Sequence, residues 1–287
     1  MITIFTPTYN RAYTLNRLFN SLINQSNKNF EWLIVDDGSN DNTKELVEKF
    51  KKKSDFPIYY YYKKNEGKHI AINFGSEKAN GEWFFIVDSD DYLVENSIEI
   101  IYKYCNQIKE NPKYAGVAGS ISHSNGEMIG NGYNKKVIDL TCANFRKKYS
   151  GDKAEVLRTS LLKQYKFPQF NGEKFMQESV LWYSLSNDNF LFRWFDEIIY
   201  IADYIDDGLT KNGRKASRKS PLSKSYAENH IVGSKNIKFV EKMKSCINYY
   251  RYGVYGGKKF KYLFSKSNNK VLTIVAIPIA KIYAIKE

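Results

Sequence analysis

The most informative part of this 287-residue chain is the run Gly81-Glu82-Trp83-Phe84-Phe85-Ile86-Val87-Asp88-Ser89-Asp90-Asp91. Its apolar section, residues 83–87, is typical of a buried strand in a parallel sheet. Three carboxylates follow where this strand would leave the sheet, the edge at which open α/β folds bind their ligands. Because crowded carboxylates repel one another unless a cation lies between them, the pattern predicts Mn²⁺ or Mg²⁺ holding a diphosphate. The alternative is an acidic turn that caps the helix expected at residues 94–109.

The first half of the chain alternates between strand and helix patterns. Earlier strands are predicted at residues 2–6, 32–35 and 58–62. The first helix carries one apolar face, formed by Leu15, Leu18, Phe19, Leu22 and Ile23. A second helix is expected to start near Asn42, with Glu45 three residues later, and a third to span residues 67–80. This order predicts an α/β fold built as the nucleotide-binding half of a doubly wound sheet.

Two common phosphate-binding motifs are absent from the sequence. Gly67-Lys68 lacks the upstream glycine of a P-loop, and no GxGxxG follows the first strand. The sequence therefore argues against both a P-loop NTPase and a Rossmann dehydrogenase. Any nucleotide has to be held in another way.

The net charge of +13 is concentrated at one end of the chain. Residues 1–205 hold 26 basic and 26 acidic residues, whereas residues 206–287 hold 18 basic and 5 acidic ones. We therefore expect two parts with different partners and a boundary between residues 205 and 206. Just beyond it, residues 211–221 are rich in Lys, Arg, Ser and Gly, which predicts a loop. That loop either closes over a diphosphate or is a solvated linker.

The cysteines and the start of the chain indicate the compartment. Cys105, Cys142 and Cys246 are odd in number and widely spaced, which argues against a disulfide framework and a zinc site. An apolar run begins at Ile2 with no leader peptide ahead of it, so we expect a cytoplasmic protein.

Three motifs in order resemble the family 2 glycosyltransferases of GT-A fold, in their bacterial surface-polysaccharide form. They are Ile4-Phe5-Thr6-Pro7-Thr8-Tyr9-Asn10-Arg11, then Val35-Asp36-Asp37-Gly38-Ser39, then Gly81-Glu82 leading to the aspartates. The resemblance implies a Rossmann-like, mostly parallel sheet flanked by helices over residues 1–205. It places the nucleotide-sugar half at about residues 1–121 and the acceptor half at about residues 122–205. It also implies inverting transfer from a UDP-sugar to a glycan hydroxyl.

The resemblance assigns roles to residues of these motifs. The residues implied in donor binding are Thr6, Pro7, Tyr9, Asp37, Lys68, Asp88 and Ser89. Among them, Thr6, Pro7 and Tyr9 are expected along the uracil and ribose, and Asp37 at the uracil imide. Lys68 is expected at the diphosphate. Asp88 and Asp90 are implied as metal ligands, Asp91 as their support, and Asp36 as a residue that steadies its turn.

An inverting transfer also needs a base for the acceptor hydroxyl. The family places it in an acidic pair ahead of a helix, and the matching run here is Gln177-Glu178-Ser179-Val180-Leu181-Trp182. Glu178 is the acid of that run and is the predicted catalytic base, although glutamine stands where the family has its first acid. Glu173 is the alternative base, and a purely structural helix N-terminal acid is the alternative role.

The C-terminal region, residues 206–287, is predicted to be helical, basic and able to dock on a membrane. Its apolar run at residues 271–280 is too short to span a bilayer. Aromatic and basic residues are interleaved upstream, which favours an anionic membrane surface over packing in the core or binding of RNA. We therefore expect peripheral association with the inner face of the plasma membrane, a lipid-linked glycan acceptor and no nucleic-acid partner.

Two other functions stay open at the level of the sequence. A nucleotidyltransferase would also use carboxylates and a metal ion, but it should carry a glycine-rich phosphate loop after the first strand. A catalytically inactive, membrane-associated binding subunit is conceivable because of the Gln177-Glu178 pair. The sequence indicates neither the sugar, nor the linkage, nor the oligomeric state.

Overall fold

The computed structural model describes residues 1–134, 137–203, 209–234 and 237–284. Its strands are β1 (Ile2–Thr8), β2 (Phe30–Asp36), β3 (Ile58–Tyr62), β4 (Trp83–Ile86), β5 (Tyr92–Leu93), β6 (Tyr114–Ser122), β7 (Ile138–Leu140), β8 (Lys153–Arg158) and β9 (Leu191–Ile201). The helices up to β9 are α1 (Ala12–Ile23), α2 (Thr43–Lys53), α3 (Lys68–Lys78), α4 (Ser97–Ile108), α5 (Cys142–Lys148), α6 (Thr159–Gln164) and α7 (Ser179–Asn187). The helices after it are α8 (Leu209–Lys219), α9 (Pro221–Gly233), α10 (Phe239–Tyr255), α11 (Phe260–Lys266) and α12 (Lys270–Ala284).

One sheet runs through the molecule in the order β3-β2-β1-β4-β8-β6-β9-β5, and β7 pairs with β9. The strands β3, β2, β1 and β4 are mutually parallel, and β6 is parallel to β9. The antiparallel strand β8 joins these two groups. The predicted α/β fold, with a mostly parallel sheet flanked by helices, is confirmed.

The first helix forms where the apolar spacing predicted it. Leu15, Leu18, Phe19 and Leu22 are buried on one face of α1. The Phe19 ring lies 4.1 Å from that of Phe50 of α2, so two helices cover the same side of the sheet. The start of α2 differs in detail from the prediction, because the Asp41 carboxylate, rather than Asn42, accepts the hydrogen bond from Thr43 N at 3.2 Å.

Two local predictions need correction. The expected helix at residues 94–109 is present but spans Ser97–Ile108, because Tyr92 and Leu93 form a short strand paired with β9 and a turn at residues 95–96 precedes the helix. The expected loop at residues 211–221 is largely the helix α8, which is followed directly by α9. Lysine, arginine and alanine are good helix formers, so the high charge of this stretch did not indicate a loop.

The C-terminal helices confirm the predicted helical region and pack against the part of the protein that contains the sheet. α9 contacts α7, and α10 lies between α9 and α12. Two small apolar clusters hold these helices together, one around Cys246 and one around Tyr249 and Tyr250. The predicted boundary between residues 205 and 206 lies outside the described residues. Within the described ranges, no helix combines the length and the apolar character needed to cross a bilayer.

Candidate active site

The sequence motifs meet at one edge of the sheet. Thr8 pairs with Asp36 at the ends of β1 and β2, and β4 pairs with β1 on the other side. Because parallel strands end at the same edge, the segments that follow these three strands lie next to one another. This edge is where the carboxylates of both acidic motifs lie.

Asp36 and Asp37 are adjacent in sequence but have different partners. The Asp36 carboxylate accepts hydrogen bonds from Ser39 N at 2.7 Å and from the Tyr60 hydroxyl at 2.7 Å, so it holds the turn. The buried Asp37 carboxylate accepts from Lys63 Nζ at 2.8 Å and from Gly67 N at 2.7 Å. Asp37 therefore fixes the loop of residues 63–67, and its contact with a nucleobase stays a prediction.

The residues after β1 divide into buried and exposed groups. Thr6 is fully buried, and its hydroxyl accepts a hydrogen bond from Trp32 Nε1 at 2.9 Å, which gives it a role in the core. Pro7 is also buried, whereas Tyr9 is 47% exposed and free to offer a ring face. Thr8 was not singled out in the sequence, yet its hydroxyl is buried at the strand end with no hydrogen-bond partner. A buried hydroxyl without a partner is uncommon, which makes Thr8 a candidate for contact with a ligand.

Asp88, Asp90 and Asp91 form a compact carboxylate cluster. One oxygen from each of them can be chosen so that all three lie within 4.8 Å of one another. Burial and the neighbouring Asp88 charge raise the pKa of Asp90, and the same two causes raise the pKa of Asp91 to about 8. Ser89 is buried between them. Half-buried oxygens that repel one another suit a hard divalent cation, so the residues present fit the metal expected from the sequence.

Tyr200 of β9 holds this cluster in place through two hydrogen bonds. Asp88 N donates to the Tyr200 hydroxyl at 3.0 Å, and that hydroxyl donates to Asp91 Oδ2 at 2.6 Å. Tyr200 is more than 100 residues away in sequence and belongs to no motif, so no pattern could have indicated it.

Lys68 connects the carboxylate cluster to the predicted base. Its ammonium lies 2.6 Å from Asp88 Oδ1 and 2.7 Å from Glu178 Oε1. Burial works against the charge on Lys68, but the carboxylates of Asp88 and Glu178 raise its pKa on balance. A single cationic side chain thus brings together residues from α3, from the end of β4 and from the start of α7.

The two candidate bases lie in different surroundings. The Glu178 side chain is 30% exposed and directly precedes α7. The Glu173 carboxylate is buried and accepts hydrogen bonds from Leu222 N at 2.8 Å and Ser223 N at 2.7 Å, in the first turn of α9. Because both oxygens of Glu173 hold a helix N-terminus, the geometry favours Glu178 as the group that faces a substrate.

Residues 173–178 are called the 173–178 segment from here on. They contact the C-terminal helices on one side and Gly67, just before α3, on the other. Phe175 N donates to Ser220 Oγ at 3.2 Å, and Lys224 Nζ donates to Gln177 Oε1 at 2.7 Å. On its other side the segment touches Gly67, whose φ is +97° and where a Cβ atom would lie 1.9 Å from Lys174 O. Only glycine fits this contact.

Two further titratable groups near the site have shifted pKa values. His69 is buried, and burial lowers its pKa to about 4. Burial raises the pKa of Glu155 on β8 to about 7, against the opposing effect of Arg146, whose guanidinium lies 3.2 Å away. The charges of Asp152 and Glu178 add to this rise.

Comparison with known proteins identifies the family. Residues 3–174 match the family described as glycosyl transferase family 2. A GalNAc(5)-diNAcBac-PP-undecaprenol beta-1,3-glucosyltransferase from Campylobacter jejuni is 28% identical over 273 residues, 91% of this chain and 84% of the relative. An uncharacterised glycosyltransferase from Rickettsia bellii is 31% identical over 202 residues, 66% of this chain, but this chain spans only 27% of that relative.

Solved structures share the fold at low sequence identity. S. aureus TarS 1-349 in complex with UDP-GlcNAc superposes with a TM-score of 0.64 at 20% identity, over 97% of this chain and 80% of that one. The mannosyltransferase PcManGT from Pyrobaculum calidifontis, in complex with GDP-Man and Mn²⁺, gives 0.58 at 12% identity, over 99% and 86%. Because the family match spans more than half of the chain, this protein belongs to glycosyl transferase family 2 and is a glycosyltransferase.

Proposed function

We propose that this protein is a metal-dependent, inverting glycosyltransferase that moves a sugar from a UDP-sugar to a hydroxyl of a lipid-linked glycan in surface polysaccharide synthesis. The observation that carries the proposal is the Lys68 ammonium, which lies within 2.7 Å of both Asp88 and Glu178. The predicted diphosphate site and the predicted base therefore lie on either side of one side chain. An inverting transfer needs both groups around one sugar, because the acceptor hydroxyl attacks the anomeric carbon from the face opposite the departing diphosphate.

In this proposal, different residues of the chain bind the donor, hold the metal and accept the proton. Tyr9 offers its exposed ring to the uracil, and Asp37 stabilises the loop that ends at Lys68. Asp88 and Asp90 would hold a divalent cation, which when bound neutralises charge on the diphosphate. Lys68 is placed to contact the same diphosphate. Glu178, as the base, takes the proton from the acceptor hydroxyl.

The acceptor and the membrane location of the protein are proposed from other observations than the donor site. The Campylobacter jejuni relative is named for an undecaprenol-linked substrate, which supports a lipid-linked acceptor for this chain. Such an acceptor lies at a membrane, and the basic C-terminal region suits the inner face of the plasma membrane. We assign residues 1–121 to the nucleotide-sugar half, residues 122–205 to the acceptor half, and residues 206–287 to membrane association.

The decisive experiment is release of UDP from a panel of UDP-sugars, with and without Mn²⁺. Glycosyltransferases hydrolyse their donor slowly when no acceptor is present, so we expect UDP release from one sugar and only with the metal. Thermal shifts with nucleotides and Mn²⁺ should rank UDP above the other bases. Absence of release together with retained UDP binding would instead favour an inactive binding subunit.

A further inference from the structure

The helix α12 has two apolar faces, of which the protein covers one. Its inner face packs against the neighbouring helices through Leu272, Thr273, Ala276 and Ala280. The side chains on its outer face are exposed, namely Val271 (76%), Ile274 (58%), Val275 (57%), Pro278 and Ile279 (38%). Every residue of this outer face is apolar.

The spacing of these residues makes the outer face continuous. Positions 271, 274, 275, 278 and 279 follow the i, i+3, i+4, i+7, i+8 pattern that defines one side of a helix. On the opposite side of the helix, Ala276 shares an apolar cluster with Cys246, and Ala280 shares one with Tyr250. A contiguous aliphatic stripe of this kind on a surface indicates an interaction site.

The part of the chain that contains the stripe is strongly basic. Residues 242–286 contain ten basic residues and no acidic one. Four of the lysines in and just before α11 and α12 are exposed, namely Lys259, Lys261, Lys266 and Lys270. α11 contacts α12, and it also presents the exposed rings of Phe260 and Tyr262. Exposed lysines and exposed aromatic rings therefore lie on α12 itself or on the neighbouring α11.

We propose that the outer face of α12 lies in the plane of an anionic bilayer, with its aliphatic side chains in the acyl region and the lysines of α11 and α12 at the headgroups. This inference rests on the membrane association proposed above and specifies which surface makes the contact. Aliphatic side chains enter hydrocarbon readily but offer no ring for stacking on nucleic-acid bases, which favours lipid over RNA. A second copy of the chain would bring two strongly basic regions together, which like-charge repulsion disfavours.

The test is co-sedimentation of the full chain with vesicles of phosphatidylcholine and phosphatidylglycerol, at low and at high salt. The variant replaces four exposed residues, as Val271→Ser, Ile274→Ser, Val275→Ser and Ile279→Ser, and leaves the packing face intact. We expect its partition coefficient to fall by about tenfold or more, and its remaining binding to be lost at high salt. Tyr59→Ser is the matched control, because it removes an exposed ring from the edge strand β3.

UDP release measured on the same proteins separates this inference from the proposed function. The four-serine variant should release UDP at the parental rate while it loses vesicle binding. Equal vesicle binding by parent and variant would overturn the docking surface, and so would a parent that stays in the supernatant at both salt concentrations. A parent that forms dimers, which the variant does not, would show instead that a second copy covers this face. If the parent shifts the mobility of RNA in a gel and the variant does not, the face would instead be assigned to nucleic acid.

Discussion

The two sides of the candidate site are held in place in different ways. On the donor side, Asp36, Asp37 and Asp88 lie at or just after the ends of β2 and β4, the strands on either side of β1, so the sheet itself positions them. On the base side, the 173–178 segment has no strand or helix of its own and depends on hydrogen bonds to residues 220–224. The donor side is therefore built from the first 91 residues, with support from Tyr200 of β9, whereas the base side requires the C-terminal helices. A truncation after residue 205 would remove those partners.

The difference explains what could be predicted from the sequence. The carboxylates after β4 were expected at the sheet edge, and they lie there, because an apolar run followed by acids is a local pattern. The sequence left Glu173 open as an alternative base. The groups that occupy its carboxylate, Leu222 N and Ser223 N, are about 50 residues away, so the sequence around Glu173 does not indicate them. The short strand β5 was missed for the same reason, since it forms only by pairing with β9.

The largest effect is expected on the donor side. Asp90→Ala should abolish Mn²⁺-dependent UDP binding and leave the melting temperature equal or higher, because one repelling carboxylate is removed from the cluster. Calorimetric titration with UDP, with and without Mn²⁺, measures this. Asp55→Ala is the control, since Asp55 is 60% exposed and forms a surface ion pair with Lys28. Unchanged metal-dependent binding in Asp90→Ala would remove Asp90 from the metal site.

The next largest effect is expected on the rate of sugar transfer when the predicted base is changed. Glu178→Gln keeps the shape of the side chain but cannot accept a proton, so transfer should fall by about 10²–10⁴ while UDP binding persists. Single-turnover transfer and UDP titration on the same protein give the two values. Parental turnover in Glu178→Gln would assign the proton transfer to another group.

A smaller effect concerns pH and the buried Glu155. The pKa of Glu155 is about 7 in the folded protein and lower in the unfolded chain, so its contribution to stability is complete at low pH and is lost as the pH rises through 7. Glu155→Gln should therefore unfold like the parent near pH ~4 and be more stable by about 1–3 kcal/mol near pH ~8.5. Urea unfolding at both pH values measures the difference. Equal stability of the two proteins at high pH would show that Arg146 fully compensates the charge.

The smallest effect tests the link between the base side and the C-terminal helices. Glu173→Gln retains one acceptor oxygen and loses the charge at the start of α9, so we expect a loss of about 1 kcal/mol in unfolding free energy. Transfer should fall less than in Glu178→Gln, and Glu173→Asp should not restore it, because the shorter side chain does not span to Leu222 N. A loss of transfer as large as that of Glu178→Gln, at parental stability, would make Glu173 the base.

Gly67, like Lys68, lies where the two sides touch. Its amide is bonded to Asp37 on the donor side, and a Cβ atom at this position would lie 1.9 Å from Lys174 O on the base side. Substitutions on one side therefore change the position of residues on the other, so their effects should not be additive. Any attempt to alter donor preference by changing the loop of residues 63–67 has to be combined with changes in the 173–178 segment, and the two have to be selected together.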